Sequence, residues 1–181
     1  MQLPRLIFIC LLLVIISGCS YYADMNGSVV DGATGRPLEG ALVVAQWHET
    51  RGIPGFQYSD LHKSIETVTD KEGAFSIEGA FGFLLEPPRM LIYKAGYIPW
   101  RNDMVFPGGH LSNDNEWKHN ITYKLDALAD AYNYRQLNSF LSYGIKVSGN
   151  LKTPNFDDLM HEISGLEQSQ IEKQMQKVKS P

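Results

Sequence analysis

The chain has 181 residues, enough for one domain with a substantial hydrophobic core and an appendage. Its 16 Lys and Arg residues against 20 Asp and Glu give a formal net charge of −4, and no block rich in Lys or Arg occurs. This charge pattern argues against a nucleic acid as the partner.

The N-terminal segment has the pattern of an export signal. One positive charge, Arg5, precedes an uninterrupted apolar run over residues 6–16. This run is too short to span the roughly 30 Å core of a bilayer as a helix, which takes about 20 residues, but it matches the h-region of a secretory signal peptide. The sequence ISGC at positions 16–19 resembles the bacterial lipobox. The resemblance implies cleavage between Gly18 and Cys19 and lipidation of the cysteine.

We therefore expect residues 1–18 to be a lipoprotein signal peptide and Cys19 to carry the lipid anchor. An ordinary secretory signal with an incidental cysteine and an uncleaved anchor are the alternatives. Several acyl chains anchor a protein firmly, whereas one binds only marginally. In the sorting pattern of enterobacterial lipoproteins, Ser20 favours the periplasmic face of the outer membrane. Because Cys10 would leave with the signal, the mature protein would depend on packing rather than on a disulfide.

Residues 19–25 are expected to be a short tether, and strands follow it. Residues 26–31 and 41–47 are rich in β-branched and apolar side chains, and they flank a stretch of Gly, Thr and Pro. This pattern predicts a strand, a turn and a second strand. Residues 48–63 are polar and aromatic with Gly and Pro breakers, which indicates a long loop.

Further strands are predicted at residues 64–69, 74–78, 89–94 and 119–125. The first two are joined by Asp-Lys-Glu-Gly at 70–73, where Asp and Gly suit the first and fourth positions of a type I turn. Short strands with turn signals at their junctions predict a β-sandwich rather than an alternating α/β fold.

The composition changes after the last predicted strand. Residues 126–143 contain helix formers and a partial helical stripe of apolar side chains. Thr153 and Pro154 suit the cap and the first turn of a second helix. Its apolar side chains recur at helical spacing, namely Phe156, Leu159, Met160, Ile163 and Leu166. Residues 126–181 are thus predicted to form a helical C-terminal extension, whose last residues have few apolar anchors.

Three motifs resemble the carboxypeptidase regulatory-like domain. They are TGRPL at 34–38 between two strands, TDKEGAF at 69–75, and Gly96-Tyr97 at the end of a strand. They occur in the order of the family and cover about residues 26–125. The resemblance implies a mainly β, transthyretin-like (prealbumin-like) β-sandwich of about seven strands, an accessory module without chemistry of its own. The helical extension and the two long loops depart from the family pattern.

No constellation for catalysis or metal binding stands out. The histidines lack the His-Glu-x-x-His spacing of zinc proteases; they are His48, His62, His110, His119 and His161. Asp70 and Glu72 lack the full spacing of a calcium-binding loop and suit a turn better. The serine hydrolase signature Gly-x-Ser-x-Gly is also missing. We therefore expect no enzyme, no metal and no cofactor.

Aromatic side chains concentrate around the two long loops. Trp47, Phe56 and Tyr58 lie in or beside the first, and Trp100 and Trp117 lie in or beside the second. Loops on a rigid sandwich commonly carry binding function, and exposed Trp and Tyr suit protein or sugar surfaces. These five residues are therefore the candidate ligand-binding set. The alternative, which we favour, is that they pack inward over the end of the sandwich.

The sequence predicts a membrane-anchored lipoprotein of the cell envelope with a non-catalytic, structural or protein-interaction domain. Its partners would be the membrane, through the lipid on Cys19, and an envelope protein. Two alternatives stay open. One is a carbohydrate- or peptidoglycan-binding lipoprotein that uses the aromatic loops, and the other is an assembly lipoprotein of a secretion system.

Overall fold

The computed structural model describes residues 19–108, 110–112, 117–128, 134–143, 145 and 154–179. The predicted signal peptide, which ends at Gly18, and the predicted helix cap Thr153 lie outside the described residues. Within the described ranges the protein is mainly β, with a helical extension at the C-terminal end. This agrees with the fold class that the sequence predicts.

Eleven strands and two helices occur among the described residues. The strands in chain order are β1 (Cys19–Tyr22), β2 (Met25–Asp31), β3 (Leu42–Ile53), β4 (Phe56–Val68), β5 (Ala74–Ile77), β6 (Ala80–Phe83), β7 (Arg89–Tyr93), β8 (Trp100–Arg101), β9 (Met104–Val105), β10 (His110–Leu111) and β11 (Ile121–Leu125). The helices are α1 (Tyr134–Ser142) and α2 (Pro154–Lys179).

Two sheets form the sandwich. The first has the strand order β4-β3-β7-β8 and is antiparallel throughout. The second has the order β11-β2-β5, in which β2 is parallel to β11 and antiparallel to β5. Together the two sheets contain seven strands, in agreement with the predicted sandwich of about seven. The pairs β1–β6 and β9–β10 form separate two-stranded ribbons.

The main hydrophobic core lies between the two sheets. Val43, Ala45 and Trp47 alternate along β3 and are fully buried in it, as expected for a strand whose side chains face opposite sides in turn. The buried members of this core are Met25, Val29, Leu38, Ala41, Val43, Ala45, Trp47, Phe75, Ile77, Ala80, Leu85, Met90, Ile92, Tyr123 and Leu125. Burial of these side chains supplies the main force that holds the sandwich together.

The loop predicted at residues 48–63 is wrong, because these residues form most of a long β-hairpin. β3 and β4 stay paired as far as Ile53 opposite Phe56. Pro54 and Gly55 make the two-residue turn, in which Gly55 has a φ of 91°, a conformation that glycine adopts without steric cost. The prediction failed because both strands are partly exposed here and lack the apolar alternation of a half-buried strand. We call residues 48–63 the hairpin arm.

The tether predicted at residues 19–25 is also wrong. The first four of these residues form β1, which pairs antiparallel with β6. Met25, the first residue of β2, is only 1% exposed. The segment resembled a tether because the partner strand of β1 lies far along the chain. We call β1 and β6 together the N-terminal ribbon. Regular structure among the described residues thus begins at Cys19 itself.

The two helices cover the outer face of the four-stranded sheet. Leu42 and Val44 on β3, and Leu91 and Tyr93 on β7, belong to a second core on that face. The buried side chains that meet them from the helical extension are Leu137, Leu141, Ile145, Phe156 and Ile163. The strands β3 and β7 are therefore buried on both faces, and the helical extension docks on the sandwich.

A buried arginine on β8 fastens α1 to the sandwich. The Arg101 side chain is 0% exposed and forms a two-pronged ion pair with Asp103, with Nε–Oδ1 and Nη2–Oδ2 distances of 2.9 and 2.8 Å. Its Nη1 donates to the carbonyl oxygen of Phe140 at 2.8 Å and to that of Tyr143. The last carbonyls of a helix lack partners within the helix and favour a nearby cation. Arg101 therefore supplies both the hydrogen bonds and the charge.

A carboxylate on β4 caps the start of α2. Glu66 Oε1 accepts hydrogen bonds from the backbone N–H and the side-chain amide of Asn155, at 3.0 and 2.9 Å. Glu66 Oε2 accepts from the N–H of Phe156 at 3.1 Å. The first N–H groups of a helix lack partners within it, and a negative charge there is favourable. The sandwich thus fixes the beginning of α2 as well as the end of α1.

Tyr93 lies between the sheet and the helices and makes this contact sensitive to alkaline pH. Burial, and then the nearby Glu162 carboxylate, raise the pKa of Tyr93 from 10.0 to about 12. A pKa that is raised in the folded state stabilises the fold below pH 10.0, and this contribution is lost as the pH rises through about 12. We expect the urea midpoint to fall across that interval, and to fall less in Tyr93→Phe.

The matched control for this experiment is Tyr58→Phe, because Tyr58 is exposed on the hairpin arm. Its stability should follow the wild type across the same pH interval. If the wild type and Tyr93→Phe lose stability in parallel, Tyr93 is not the group responsible.

Candidate functional site

The turn after β2 is built on Asp31. Its Oδ1 accepts hydrogen bonds from the backbone N–H groups of Ala33 at 3.0 Å and Thr34 at 2.7 Å, and from the Thr34 hydroxyl at 2.9 Å. Its Oδ2 accepts from the Tyr97 hydroxyl at 2.9 Å, which joins the turn that contains the first family-like motif to the third motif. These donors, those of Thr34 foremost, lower the pKa of Asp31. The carboxylate therefore has a structural task.

The second motif forms the turn between β4 and β5. Thr69 Oγ1 donates to the carbonyl oxygen of Leu38 at 2.6 Å and accepts from the N–H of Ala41 at 2.8 Å. Asp70 Oδ1 accepts from the N–H groups of Glu72 at 3.0 Å and Ala74 at 2.8 Å. Asp70 thus holds its own turn, and the hydrogen bonds account for it without a cation.

The histidines are dispersed over the fold. His48 is 1% exposed on β3, whereas His110 on β10, His119 before β11 and His161 on α2 are exposed. His62 lies 3.2 Å from the carbonyl oxygen of Phe81 through its Nε2. Across the part of the chain that the structure describes, no group of three or more His, Cys, Asp or Glu residues is arranged to hold a metal ion.

The three tryptophans of the candidate ligand-binding set pack against the core. Trp47 is 0% exposed, and its ring meets that of Trp117 edge to face with centroids 5.3 Å apart. Trp117 is partly buried and donates through Nε1 to the carbonyl oxygen of Ala23 at 2.7 Å. Trp100 is partly buried against Tyr123, with centroids 4.6 Å apart. The structure does not bring these rings together on an exposed surface.

The other two members of that set lie at the tip of the hairpin arm. Phe56 is 80% and Tyr58 59% exposed, and Ile53, which sequence reasoning missed, is 67% exposed. Ile53 pairs with Phe56, and Arg51 pairs with Tyr58, so these residues share one face of the hairpin. Exposed apolar residues that cluster mark interaction sites more often than scattered ones do. We call Ile53, Phe56 and Tyr58 the arm tip.

Charged side chains lie next to the arm tip on the same face. Arg51 forms ion pairs with Glu49 and with Asp60, the latter at 3.4 Å between Nη1 and Oδ2. His62 Nδ1 lies 3.5 Å from Glu49 Oε2. Exposed ion pairs add little stability. Their arrangement instead gives the apolar tip a polar border, which is the usual make-up of a protein interface.

Cys19 is exposed as the first residue of β1, where it lies opposite Phe83 of β6. Its thiol is therefore accessible on the surface of the folded domain. Among the described residues, none of the helices is both long enough and apolar enough to cross a membrane.

Comparison with known proteins gives little beyond this geometry. No protein-family model matches the chain, and no curated protein sequence matches it. Among solved structures, a streptococcal ancillary pilin is similar over 59% of this chain, with 17% identity and a TM-score of 0.32, and the match spans only 29% of the pilin. The C-terminal domain of the shaft pilin SpaA from Lactobacillus rhamnosus GG is similar over 60% of this chain and 99% of its own length, with 14% identity and a TM-score of 0.30.

Proposed function

We propose that the protein is a lipid-anchored, non-catalytic β-sandwich module of the cell envelope that binds a protein partner through the arm tip. The anchor is a lipid on Cys19, at the periplasmic face of the outer membrane. The observation that carries the anchor is the position of Cys19, which follows an export-type sequence directly and is exposed as the first residue of β1. A thiol in that position is open to acylation without disturbance of the core.

We further propose that residues 26–125 are a carboxypeptidase regulatory-like sandwich. The support is the use of the three motifs, since each one makes a contact that joins separate strands. Tyr97 bonds to Asp31, and Thr69 bonds to the segment before β3. A domain of this kind would explain why the carboxylates Asp31 and Asp70 serve turns rather than chemistry.

In this proposal the arm tip is the surface that binds the protein partner. Aromatic anchors in a small apolar patch carry much of the binding energy at protein interfaces, and Phe56 and Tyr58 are such anchors. The paired strands of the arm hold them in place, so little conformational entropy is lost on binding. Protein binding, rather than glycan binding, is our first choice because the tryptophans that would stack on sugar rings are packed against the core.

The anchor is tested by the intact mass and the membrane fractionation of the expressed full chain, beside Cys19→Ser. We expect a mature species that begins at an acylated Cys19 and is found with the membrane, and we expect the acylation and the membrane association to disappear in the variant. A soluble, unacylated product from the wild-type chain would refute the anchor.

The partner surface is tested by photo-crosslinking in intact cells. A photoreactive amino acid at Phe56 should capture an envelope protein as a discrete adduct. The same amino acid at Leu111, which is 82% exposed on β10, is the matched control and should give no such adduct. Equal adducts from both positions, or none from Phe56, would contradict an interaction at the arm tip.

A second candidate, glycan or peptidoglycan binding, depends on the exposed rings of Phe56 and Tyr58. Aromatic faces of this kind can stack on sugars. Calorimetric titration with soluble peptidoglycan fragments decides between the two. Heat of binding that vanishes in Phe56→Ala would favour the glycan, and flat titrations would leave the protein partner as the function.

A further inference from the structure

We infer that the N-terminal ribbon lies flat against the lipid surface and holds the sandwich in one orientation on the membrane. This inference rests on the proposed lipid anchor at Cys19. It adds a second contact with the membrane, made by side chains of the folded domain rather than by the acyl chains.

One face of the ribbon is apolar and exposed. β1 and β6 pair with Cys19 opposite Phe83 and Tyr21 opposite Phe81. Residues opposite each other on antiparallel strands, and residues two apart along a strand, lie on the same face. The exposed fractions are 75% for Tyr21, 67% for Phe81 and 53% for Phe83. The anchor cysteine and three large aromatic side chains therefore share this outer face.

The opposite face of the ribbon packs against the protein. Tyr22 packs against the main core and Ala80 is 5% exposed within it. Ser20 donates through its hydroxyl to the carbonyl oxygen of Leu85. The side chains at alternate positions of the two strands thus already pack against the protein. The exposure of the aromatic face therefore does not result from a lack of core contacts in the ribbon.

The ribbon is fixed to the rest of the domain at several points. The N–H of Gly79 donates to Asp24 Oδ1 at 2.9 Å, and Lys63 Nζ donates to the carbonyl oxygen of Gly79 at 2.6 Å. A Cβ at Gly79 would come within 1.8 Å of the carbonyl oxygen of Tyr22, so only glycine fits this approach. An orientation imposed on the ribbon is thus transmitted to the sandwich.

The position of Cys19 identifies the lipid surface as the occupant of this face. Tyr21 lies two residues from the acylated position, which is about 7 Å along a strand. No tether separates Cys19 from the ribbon, because Cys19 is itself the first residue of β1. Acyl chains inserted from Cys19 therefore bring the aromatic face to the headgroups.

The composition of the ribbon suits that environment. Its two strands, CSYY and AFGF, carry no charged residue. Tyrosine is enriched at the membrane–water interface, where its ring and its hydroxyl are both accommodated. The phenylalanine rings beside it reach the boundary of the acyl chains. Within these two strands no charge has to be desolvated for the contact to form.

The test places an environment-sensitive probe on the full, acylated chain. After removal of Cys10 with the signal and acylation of Cys19, the mature protein holds no free thiol. Phe81→Cys and Phe83→Cys therefore give single sites for the fluorophore NBD, and Tyr58→Cys on the hairpin arm is the matched control. Each protein is reconstituted into vesicles of phosphatidylethanolamine and phosphatidylglycerol, and its acylation is confirmed by intact mass.

We expect the NBD emission at positions 81 and 83 to shift to the blue on reconstitution and to resist reduction by dithionite from the aqueous side. The probe at position 58 should stay water-like and be reduced at once. If the protein is acylated and the probes at 81 and 83 are reduced as fast as the one at 58, this inference is overturned while the anchor stands.

Two other outcomes also overturn the inference. Protection that decreases when the protein is diluted in the lipid would show that a second copy of the chain covers the ribbon. An unacylated product would refute the anchor itself, and the intact mass identifies this outcome before any fluorescence is recorded.

Discussion

Arg101→Ala should lower the free energy of unfolding by about 3 kcal/mol, the lower end of the range of about 3 to 5 kcal/mol measured when one partner of a buried ion pair is removed. The guanidinium has no exposed surface, and it satisfies Asp103 and two carbonyl oxygens at the end of α1. Alanine would leave these acceptors without donors in a site that is largely closed to water. It would also remove the contact of the guanidinium with the Phe140 ring, 5.5 Å from its centroid.

The experiment compares urea unfolding of Arg101→Ala with that of two further variants. Arg101→Lys keeps the charge but loses the planar fork, so it should recover only part of the stability. Arg135→Ala is the control, because Arg135 is 73% exposed in its ion pair with Glu167. Loss of an exposed pair costs about 0 to 1 kcal/mol. An Arg101→Ala midpoint equal to that of Arg135→Ala would show that Arg101 does not fasten the helices.

Trp47→Ala should destabilise the protein by about 3 to 5 kcal/mol, as is usual when a large buried aromatic side chain is removed. Trp47 is fully buried in the main core and packs edge to face on Trp117. Alanine would leave a cavity between the two sheets that a packed interior closes only in part. The Trp47→Ala variant would lose packing within the sandwich, whereas Arg101→Ala would lose the contact between the sandwich and the helical extension.

Two more variants make the result specific to packing. The Trp47 Nε1–H is buried with no hydrogen-bond partner among the described residues, so Trp47→Phe removes an unsatisfied donor and should cost less than Trp47→Ala. Phe56→Ala is the exposed control and should change stability by about 0.5 kcal/mol or less. If Trp47→Ala were as stable as Phe56→Ala, Trp47 could not be a core residue and its role as a ligand contact would return.

Six of the seven strands of the sandwich could be predicted because each of them carries a local signal, whereas the two-residue β8 was not predicted. The strand expected at residues 119–125 begins two residues later in the structure, and the one expected at 89–94 ends one residue earlier. Alternation of buried and exposed side chains is visible within a few residues, and so are turns built on Asp and Gly. The motif contacts of Asp31 and Asp70 follow the same logic, since their carboxylates bond to N–H groups close by in the chain.

The features that could not be predicted depend on residues far apart in the chain. β1 looks like a tether until β6 is seen beside it. Arg101 gives no sign of burial, because two of its acceptors are backbone carbonyls on a helix forty residues later. The hairpin arm carries neither clear alternation nor continuous apolar sequence, so its polar strands resemble a loop. The arm tip was predicted in part, through Phe56 and Tyr58. Exposed aromatic side chains indicate a binding surface whether the segment is a loop or a hairpin.

The sheet that contains β3 also constrains the order in which the chain can fold. The inner face of β3 is fully covered only after β11 has joined the sandwich, parallel to β2 with Ile121 opposite Gly27. Its outer face is covered only after the helical extension has docked, with Phe156 and Ile163 of α2 in the second core. Contacts of such long separation form slowly, because the loops they close are long. A growing chain therefore cannot complete the sandwich piece by piece from its first strand. Its central strand becomes fully enclosed only when nearly all of the chain is available.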